Sequence, residues 1–267
     1  MTDEVGARTI ADFGEQWTAY SNTSGFFGSA DLFNDFLGPL LIDRNLQGRS
    51  VAEIGSGTGR FVNVMAAAGA AQIIALEPSQ AMRVLREKTT PFRDRITYLE
   101  TTGDRLPPSG AVDYVISIGV IHHIPDPEPV MAAAFRALKH GGRCVIWLYG
   151  REGNGLYLFV VHSLRMFTRA LPHRALELVV ALLYPLLRAY MALCRVLPLP
   201  LAEYMRRVLL PLTPAARRLV IYDQLNPAYA KYYTRAEAHA LMAKAGFADI
   251  QLHHRHGISW TVAGTRP

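Results

Sequence analysis

Short apolar segments alternate with amphipathic ones along the first 150 residues of the chain. Segments of strand length occur at 49–54, 71–77, 96–100, 112–118 and 143–149, of which 112–118 is apolar and β-branched. Between them, apolar residues recur at helical spacing over 61–68, 79–88 and 129–138, and glycines at 141–142 predict the end of the last helix. Strands that alternate with helices in this way predict an α/β fold, a mostly parallel sheet with helices on both faces.

Two more amphipathic helices are predicted ahead of the first strand. Phe13, Trp17 and Tyr20 occupy positions i, i+4 and i+7, which share one helical face, and a second amphipathic stretch covers 30–41. The aromatic face suits either packing against the core or a cover over a ligand.

The alternation stops after the fifth strand. Residues 156–219 are helical in character and contain six prolines. The α/β pattern returns at Thr234, where Glu237 completes a capping box, and strands follow at 250–255 and 259–264. We predict N-terminal helices and a core over 1–150, a helical insertion over 151–232, and a final helix and β-hairpin over 233–267 that complete a seven-stranded sheet.

The sharpest local signal is a glycine-rich turn after the first strand. It reads Glu53-Ile-Gly55-Ser-Gly57-Thr-Gly59-Arg60, and Glu77 follows 20 residues after Gly57, at the end of the second strand. Glycines let a ligand approach the backbone, the helix N-terminus that follows is electropositive, and an acid at this distance suits ribose hydroxyls. A nucleotide-type ligand is therefore predicted. A dinucleotide fingerprint would need glycine or alanine at position 60, so Arg60 disfavours a nicotinamide cofactor.

Several short motifs, and the order in which they occur, resemble class I S-adenosylmethionine-dependent methyltransferases, within the broad type 11 group. The motifs are Glu53-x-Gly55-x-Gly57-x-Gly59, Leu76-Glu77-Pro78-Ser79, Leu106-Pro107, Asp113-Tyr-Val-Ile-Ser and Val120-Ile-His122-His123-Ile-Pro-Asp126. The resemblance covers about 13–150 and 233–267. It implies a Rossmann-like fold, S-adenosylmethionine as cofactor and in-line transfer of its methyl group, and it does not identify the acceptor.

The resemblance also implies a cofactor site on this chain. Glu53 and the three glycines Gly55, Gly57 and Gly59 would surround the methionine portion. Glu77 would bind the ribose hydroxyls, and Pro78 and Ser79 would flank the adenosine. Thr102 takes the place of the family's usual acid near the adenine. The remaining implied contacts are Thr102, Gly103 and Asp104 at the adenine, Gly119 and Val120 at the sulfonium, and Trp17 and Tyr20 as an aromatic lid.

Candidate groups for the chemistry lie in two places. His122 and His123 follow the fourth strand, and a histidine titrates near neutral pH, so they are candidate bases with a structural role as the alternative. Residues just before the final α/β unit are candidates for the acceptor site, with packing as the alternative: Tyr222, Asp223, Tyr229, Tyr232 and Tyr233. The histidines in 253–256 alternate between strand faces, so no metal site is predicted.

Composition limits the class of protein. The 267 residues are 50% hydrophobic and 19% charged, which excludes intrinsic disorder. Two cysteines, Cys144 and Cys194, cannot form a disulfide framework, and the start MTDEVGARTI lacks the features of a signal peptide. We therefore expect a reduced, cytoplasmic protein.

The net charge of +6 is concentrated in the insertion, where residues 151–218 hold ten arginines and three glutamates. The longest apolar run free of charge is 178–187, ten residues that include Pro185, and a membrane span needs about twenty. No span is predicted. The insertion forms either a cap that shapes an acceptor pocket or, over 155–212, a surface that lies on anionic membrane. The arginines assigned to that surface are Arg165, Arg169, Arg174, Arg188, Arg195, Arg206 and Arg207.

Together these features predict a cytoplasmic methyltransferase with a small, apolar or lipid-like acceptor, and peripheral association with the inner membrane face stays open. The rivals are a nicotinamide-dependent oxidoreductase and a non-catalytic interaction protein that keeps the fold. Nucleic acid is disfavoured because the arginines alternate with leucines and no nucleic-acid motif is visible. The oligomeric state stays open.

Overall fold

The computed structural model describes residues 2–21, 25–108, 110–168, 171–226 and 229–267. They form a seven-stranded sheet in the order β3-β2-β1-β4-β5-β7-β6, which confirms the predicted α/β fold. Strands β1 to β5 pair in parallel, and β7 is antiparallel to both of its neighbours. The strands are β1 Ser50–Ile54, β2 Gln72–Leu76, β3 Ile96–Leu99, β4 Val112–Ile118, β5 Leu138–Tyr149, β6 Ala248–Arg255 and β7 Ser259–Thr265.

Helices precede the sheet, connect its strands and form the segment between β5 and the C-terminal hairpin. A π-helical turn, Met205–Leu209, follows α8 directly. The helices are α1 Thr2–Ala19, α2 Ala30–Leu37, α3 Arg60–Ala67, α4 Ala81–Lys88, α5 Glu128–Ala137, α6 Gly155–Thr168, α7 His173–Leu193, α8 Ala202–Tyr204, α9 Pro214–Leu225 and α10 Arg235–Lys244.

Two apolar cores cover the two faces of the sheet. Successive residues of a strand point to opposite faces, so Val51 of β1 packs in one core and Ala52 in the other. In the same way Val115 of β4 packs in the core that contains Ala52, and Ile116 packs in the core that contains Val51. Burial on both faces explains why the central strands carry apolar residues on both faces instead of alternating regularly with polar ones.

The predicted start of the fifth strand, residue 143, was wrong, because the strand begins at Leu138. Helix α5 ends at Ala137 and β5 begins directly at Leu138, before the glycines that were expected to end the helix. Gly141 N–H donates to Arg266 O and Arg266 N–H donates to Gly142 O, each at 2.8 Å. The glycines therefore lie inside the strand, beside the end of β7, and Gly141 adopts a positive φ of +76° there.

The segment between β5 and α10 is a set of packed helices. Leu176 and Val180 of α7 pack on Tyr222 and Leu225 of α9. The N-cap predicted for the helix that follows is confirmed, since Thr234 Oγ1 accepts from Glu237 N–H at 3.2 Å and Glu237 Oε2 accepts from Thr234 N–H at 2.9 Å.

Helix α7 corrects the prediction about membrane spans. In the described residues, the part Arg174–Leu193 is, by length and composition alone, long and apolar enough to cross a membrane, and 22% of it is buried. The prediction considered only the charge-free run 178–187, whereas the helix continues through Pro185 and through its flanking charged residues. Because the same helix packs on α9, its length is no evidence that it spans a bilayer.

A buried ion pair joins the C-terminal hairpin to α2. The Arg255 guanidinium, 2% exposed, donates to Asp35 Oδ2, and His256 Nε2 lies 2.8 Å from Asp35 Oδ1. Burial alone would raise the pKa of Asp35, but its hydrogen bonds and ion pairs with His256 and Arg255 outweigh burial and lower the pKa.

The variant Asp35→Asn should lower the free energy of unfolding by about 3 kcal/mol, because it leaves a buried guanidinium without its counter-charge. Asp94→Asn is the control, since the Asp94 side chain is 95% exposed beside Arg93 and its loss should cost less than about 1 kcal/mol. A lowered pKa stabilises the fold above the ordinary carboxyl pKa, and that stabilisation is lost as pH falls through the folded value. Denaturant unfolding at neutral and acid pH should therefore show the wild-type advantage shrink in acid, and equal stability of the two variants would contradict the ion-pair argument.

Candidate active site

The glycine turn between β1 and α3 brings two strand ends together. Gly55, Gly57 and Gly59 have φ values of +76°, +53° and +80°, in the left-handed region that side chains disfavour. A Cβ at Gly55 would lie 2.3 Å from Val120 Cγ2, in the loop after β4. Only glycine at position 55 permits this approach, so the residue types predicted for the turn are required by its backbone and by its neighbour.

Glu77 lies at the end of β2, directly against this turn. Its side chain is buried, Oε2 accepts from Gly57 N–H at 2.8 Å, and Oε1 accepts from Ser79 N–H at 3.0 Å and from Ser79 Oγ at 2.5 Å. Burial raises the pKa of Glu77, against the lowering effect of these hydrogen bonds. The acid thus lies against the glycine turn, and its predicted contact with ribose hydroxyls stays a prediction.

Two further charged groups flank the turn. Glu53 is 3% exposed, and its Oε2 has no hydrogen-bond partner in the described residues. Burial raises the pKa of Glu53 to about 8 and lowers the pKa of Arg60 to about 10. The Arg60 guanidinium donates to Phe27 O at 3.2 Å and lies 4.3 Å from the centre of the Phe61 ring.

Helix α1 lies over the turn. Trp17 Nε1 is 3.5 Å from the position that a Cβ at Gly57 would take, and a Cβ at Gly14 would lie 3.1 Å from Ser79 Cβ. Tyr20 instead packs on Tyr222, with ring centres 5.5 Å apart. Of the two residues expected to form the aromatic lid, Trp17 therefore contacts the turn and Tyr20 packs on α9.

The predicted adenine contacts lie after β3. Gly103 is buried, and a Cβ there would lie 2.7 Å from Ile54 Cγ2 and 2.8 Å from Val130 Cγ1. Thr102 is half-buried, as is Pro78 after β2, whereas Asp104 is exposed. Gly103 is thus a packing requirement, and the adenine contacts themselves stay a prediction.

His122 and His123 are buried in an aromatic cluster. His122 stacks on Tyr149 at 3.8 Å, and neither ring nitrogen has a hydrogen-bond partner in the described residues. His123 Nδ1 lies 2.9 Å from Tyr229 O, and its ring packs on Phe13. Burial lowers the pKa of His123 to about 4 and holds the pKa of His122 well below its ordinary value. Both rings are therefore neutral near pH 7, as a packing role would require.

A cavity of about 300 Å³ lies between the sheet and the helices α6 to α9. Its wall includes Trp17 and Gly119 from the side of the glycine turn. Most of the remaining wall is apolar: Ile118, Trp147, Val161, Leu164, Leu183, Leu187, Leu201, Val208, Leu209, Leu219, Val220 and Leu225 among others. An apolar group can therefore be held beside the loop that follows β4.

A hydrogen-bonded group of polar side chains lines one side of this cavity. Tyr149 O–H donates to Asp223 Oδ2 at 2.8 Å, and Gln224 Nε2 donates to Tyr149 Oη at 2.9 Å. Tyr157 and Tyr232 both donate to Gln224 Oε1, at 2.6 and 3.2 Å. Sequence reasoning named Asp223 and Tyr232 but missed Tyr149, whose place at the carboxyl end of a parallel strand was the available signal.

Only one of the four tyrosines expected at the acceptor site lines the cavity. Tyr222 is buried among Leu176 and Val180, and Tyr233 belongs to the core beside the sheet. Tyr229 contributes its carbonyl at His123. Of these four tyrosines, only Tyr232 lies in the cavity wall.

Comparison with known proteins places this geometry in a family. Residues 52–146 match the family model described as a methyltransferase domain. An uncharacterized methyltransferase of Mycobacteroides abscessus is 32% identical over 139 residues, which is 48% of this chain and 53% of that protein. A ubiquinone biosynthesis O-methyltransferase of Idiomarina loihiensis is 32% identical over 121 residues, 43% and 49% of the two chains. The chain thus spans about half the length of these curated relatives.

Solved structures share the fold. A methyltransferase from Thermotoga maritima, described as a possible histamine N-methyltransferase, has a TM-score of 0.50 at 19% identity, over 95% of this chain and 94% of that one. Human N-acetylserotonin methyltransferase, solved with S-adenosylmethionine, has a TM-score of 0.54 at 14% identity, over 95% of this chain and 56% of that one.

The sheet order, the glycine turn with its acid and the matched family model define a class I S-adenosylmethionine-dependent methyltransferase. Residues 52–146 are the part of the chain that matches the methyltransferase domain family.

S-adenosylmethionine is the cofactor of this class, and the residues present fit it. The partnerless Glu53 Oε2 suits the ammonium of the methionine portion, and Arg60 at the N-terminus of α3 suits its carboxylate. Glu77 lies where the ribose hydroxyls are expected, and Trp17 covers the turn. These four side chains would hold it when it is bound.

Binding of S-adenosylmethionine should release about one proton near neutral pH. Burial raises the pKa of Glu53 to about 8, so its carboxyl is protonated at neutral pH, and a neighbouring ammonium favours the ionised form. Affinity should then rise, by up to about tenfold per pH unit, as pH approaches the pKa of Glu53, and level off above it. Calorimetric titration in two buffers of different ionisation enthalpy measures the released proton.

Glu53→Gln is the matched variant for this measurement, because it keeps the shape and cannot ionise. It should bind with no proton release. Wild-type binding without proton release would show that Glu53 does not meet the cationic group.

Proposed function

We propose that the protein transfers a methyl group from S-adenosylmethionine to a small, apolar acceptor. The observation that carries this proposal is the shared cavity of about 300 Å³, because its wall combines Trp17 and Gly119 with apolar side chains of α6 and α7. An acceptor in this cavity would lie beside the loop where the class places its reacting methyl group.

The bound cofactor supplies an activated methyl carbon, so the chain's own residues need only orient the acceptor and exclude water. Ile118, Trp147 and Leu187 provide an apolar surface for this purpose. Tyr149, Asp223 and Gln224 provide the few polar groups that would fix the acceptor's orientation.

Two observations favour an apolar ring or a lipid-like molecule as the acceptor. The cavity is mostly apolar, and its volume is close to the lower end of the range for small-molecule sites, about 300 to 1,000 Å³. Several curated relatives are named as ubiquinone biosynthesis O-methyltransferases, which supports the same class of acceptor.

Purified protein should bind S-adenosylmethionine and S-adenosylhomocysteine saturably and should not bind NAD. Glu77→Ala should weaken cofactor binding by about a hundredfold, because it removes a buried carboxylate from the position of the ribose hydroxyls. Titration calorimetry measures each affinity, and Glu203→Ala, at an exposed side chain of α8, is the control. Binding of NAD alone would overturn the proposal, and binding of none of the three would favour an interaction protein.

We further propose that the protein associates with the surface of anionic membranes through α6 and α7. Among the described residues, the large apolar side chains that are exposed all lie between 159 and 197. They include Phe159, Val160, Met166 and Phe167 on α6 and Leu178, Leu182, Leu186 and Leu193 on α7. On each helix these positions fall on one face, as expected of a surface that inserts into the headgroup region.

Arginines flank this surface. At about 100° per residue, Arg174 and Arg188 lie beside the Leu178–Leu186 stripe of α7, and both are exposed. Their charge suits anionic lipid, such as that of the cytoplasmic leaflet. Arg165 does not belong to this surface, because it is buried against Gln224 O, and Arg169 lies outside the described residues. Arg207 is paired with Glu203 at 3.1 Å.

The protein should co-sediment with phosphatidylglycerol vesicles, and added salt should weaken but not abolish binding, because salt screens only the charge contribution. Leu182→Glu with Leu186→Glu should reduce binding at least about tenfold, since burial of one leucine contributes about 1.5–3 kcal/mol. Gln72→Glu with Thr97→Glu adds the same charge at exposed positions of β2 and β3 and should change binding little. Absence of wild-type binding, or a dimer that the leucine variant dissociates, would overturn the membrane proposal.

A further inference from the structure

One carboxylate lines the cavity. Among the described residues of the cavity wall, Asp223 is the only aspartate or glutamate, and it is part-exposed towards that space. It lies on α9, between Tyr222, which is buried, and Gln224. A carboxylate inside a mostly apolar cavity is costly to bury unless it is well hydrogen-bonded or serves the chemistry of the site.

Asp223 is held from two directions. Gln16 Nε2 of α1 donates to Oδ1 at 2.9 Å, and Tyr149 O–H at the end of β5 donates to Oδ2 at 2.8 Å. An ionised carboxylate has about four acceptor positions on its two oxygens, so these two donors leave capacity for a third. The side chain is therefore both fixed in place and able to accept another hydrogen bond.

The two histidines cannot take this role in the arrangement observed. Neither His122 nor His123 belongs to the cavity wall. His122 is enclosed by Tyr149 and Trp147, and Nδ1 of His123 is engaged at Tyr229 O. Asp223 is thus the group in the cavity that can accept a proton from a hydroxyl of the acceptor. Loss of that proton makes the hydroxyl oxygen a better nucleophile.

We propose that Asp223 is a catalytic base and that the acceptor presents a hydroxyl group to it. The inference rests on the proposed function. As the acceptor oxygen forms its bond to the methyl carbon, the carbon–sulfur bond breaks with its electron pair going to sulfur, and the hydroxyl proton moves to Asp223. The products are a methyl ether, S-adenosylhomocysteine and a protonated carboxyl that returns its proton to water.

Gln16 and Tyr149 act as positioning residues in this arrangement. Gln16 is fully buried on the helix that places Trp17 over the glycine turn, and its Oε1 accepts from Asn226 Nδ2 at 3.3 Å. The helix that covers the cofactor site is therefore bonded to the base on the acceptor side. Helix α1 thus supplies one of the two hydrogen bonds that orient Asp223.

The test uses the full chain with S-adenosylmethionine and octyl 3,4-dihydroxybenzoate as an apolar hydroxyl acceptor. Asp223→Asn should lower kcat at least about a hundredfold, the usual contribution of a general base, with the affinity for S-adenosylmethionine unchanged.

Tyr149→Phe tests the inference if the aspartate variant does not fold. It removes the O–H donor to Asp223, together with the oxygen that accepts from Gln224 Nε2, and should lower kcat about tenfold with unchanged cofactor affinity. Glu203→Gln, at an exposed carboxylate on α8, is the matched control and should leave kcat unchanged.

The outcomes distinguish failure of the hydroxyl acceptor from failure of the proposed function. Wild-type protein that binds S-adenosylmethionine but does not methylate the catechol overturns the hydroxyl acceptor. A folded Asp223→Asn variant with wild-type kcat overturns the assignment of Asp223 as the base. Failure of the wild-type protein to bind S-adenosylmethionine overturns the proposed function itself.

Discussion

The close approach of Gly55 to Val120 is the constraint on which the site depends. It joins the carboxyl end of β1 to the loop after β4, and a Cβ on residue 55 would overlap the Val120 side chain. With this contact in place, the turn can present its N–H groups towards Glu77 at the end of β2. Three strand ends are therefore fixed relative to one another by backbone conformation, before any ligand is present. Such a site needs little rearrangement when it binds, which is what orientation of two reactants requires.

Helix α9 connects the sheet to the cavity proposed for the acceptor. Tyr222 packs into the core formed with α7, whereas Asp223 and Gln224 reach the cavity wall and bond to Tyr149 of the sheet. The inner faces of α6 and α7 close the same cavity, through Val161 and Leu183, while their outer faces expose other apolar side chains. One pair of helices thus belongs to both the cavity and the exposed surface, so an apolar acceptor would have a short path from one to the other.

The sheet and the glycine turn were predictable because their signals are local. The alternation of apolar strands and helices predicted the five parallel strands, and it placed the glycine turn and Glu77 at the ends of β1 and β2, where the structure joins Gly57 N–H to Glu77 at 2.8 Å. The polar group around Asp223 was not predictable in this way. Its bonds join residues 74 and 207 positions apart, and periodicity says nothing about such distances. Periodicity also could not separate Tyr222 from Tyr232, because both are amphipathic residues in a helical or irregular context, and only tertiary packing decides which of them faces the cavity.

Most of the buried polar atoms that lack hydrogen-bond partners lie around the candidate site. In the described residues they are Glu53 Oε2, Thr58 Oγ1, both ring nitrogens of His122, Arg165 Nη2 and His254 Nε2. Glu53 and Thr58 flank or belong to the glycine turn, His122 stacks on Tyr149, and Arg165 donates to Gln224 O, so four of the five residues adjoin the turn or the polar side of the cavity. A buried polar atom without a partner costs about 1–3 kcal/mol, and a stable core avoids such atoms. Glu53 Oε2 and Thr58 Oγ1 lie at the glycine turn, where a ligand that completed their hydrogen bonding would turn this cost into a gain in affinity, whereas His122 and Arg165 do not line the cavity. The fold accepts local instability at the site and compensates for it in the two fully apolar cores on the faces of the sheet.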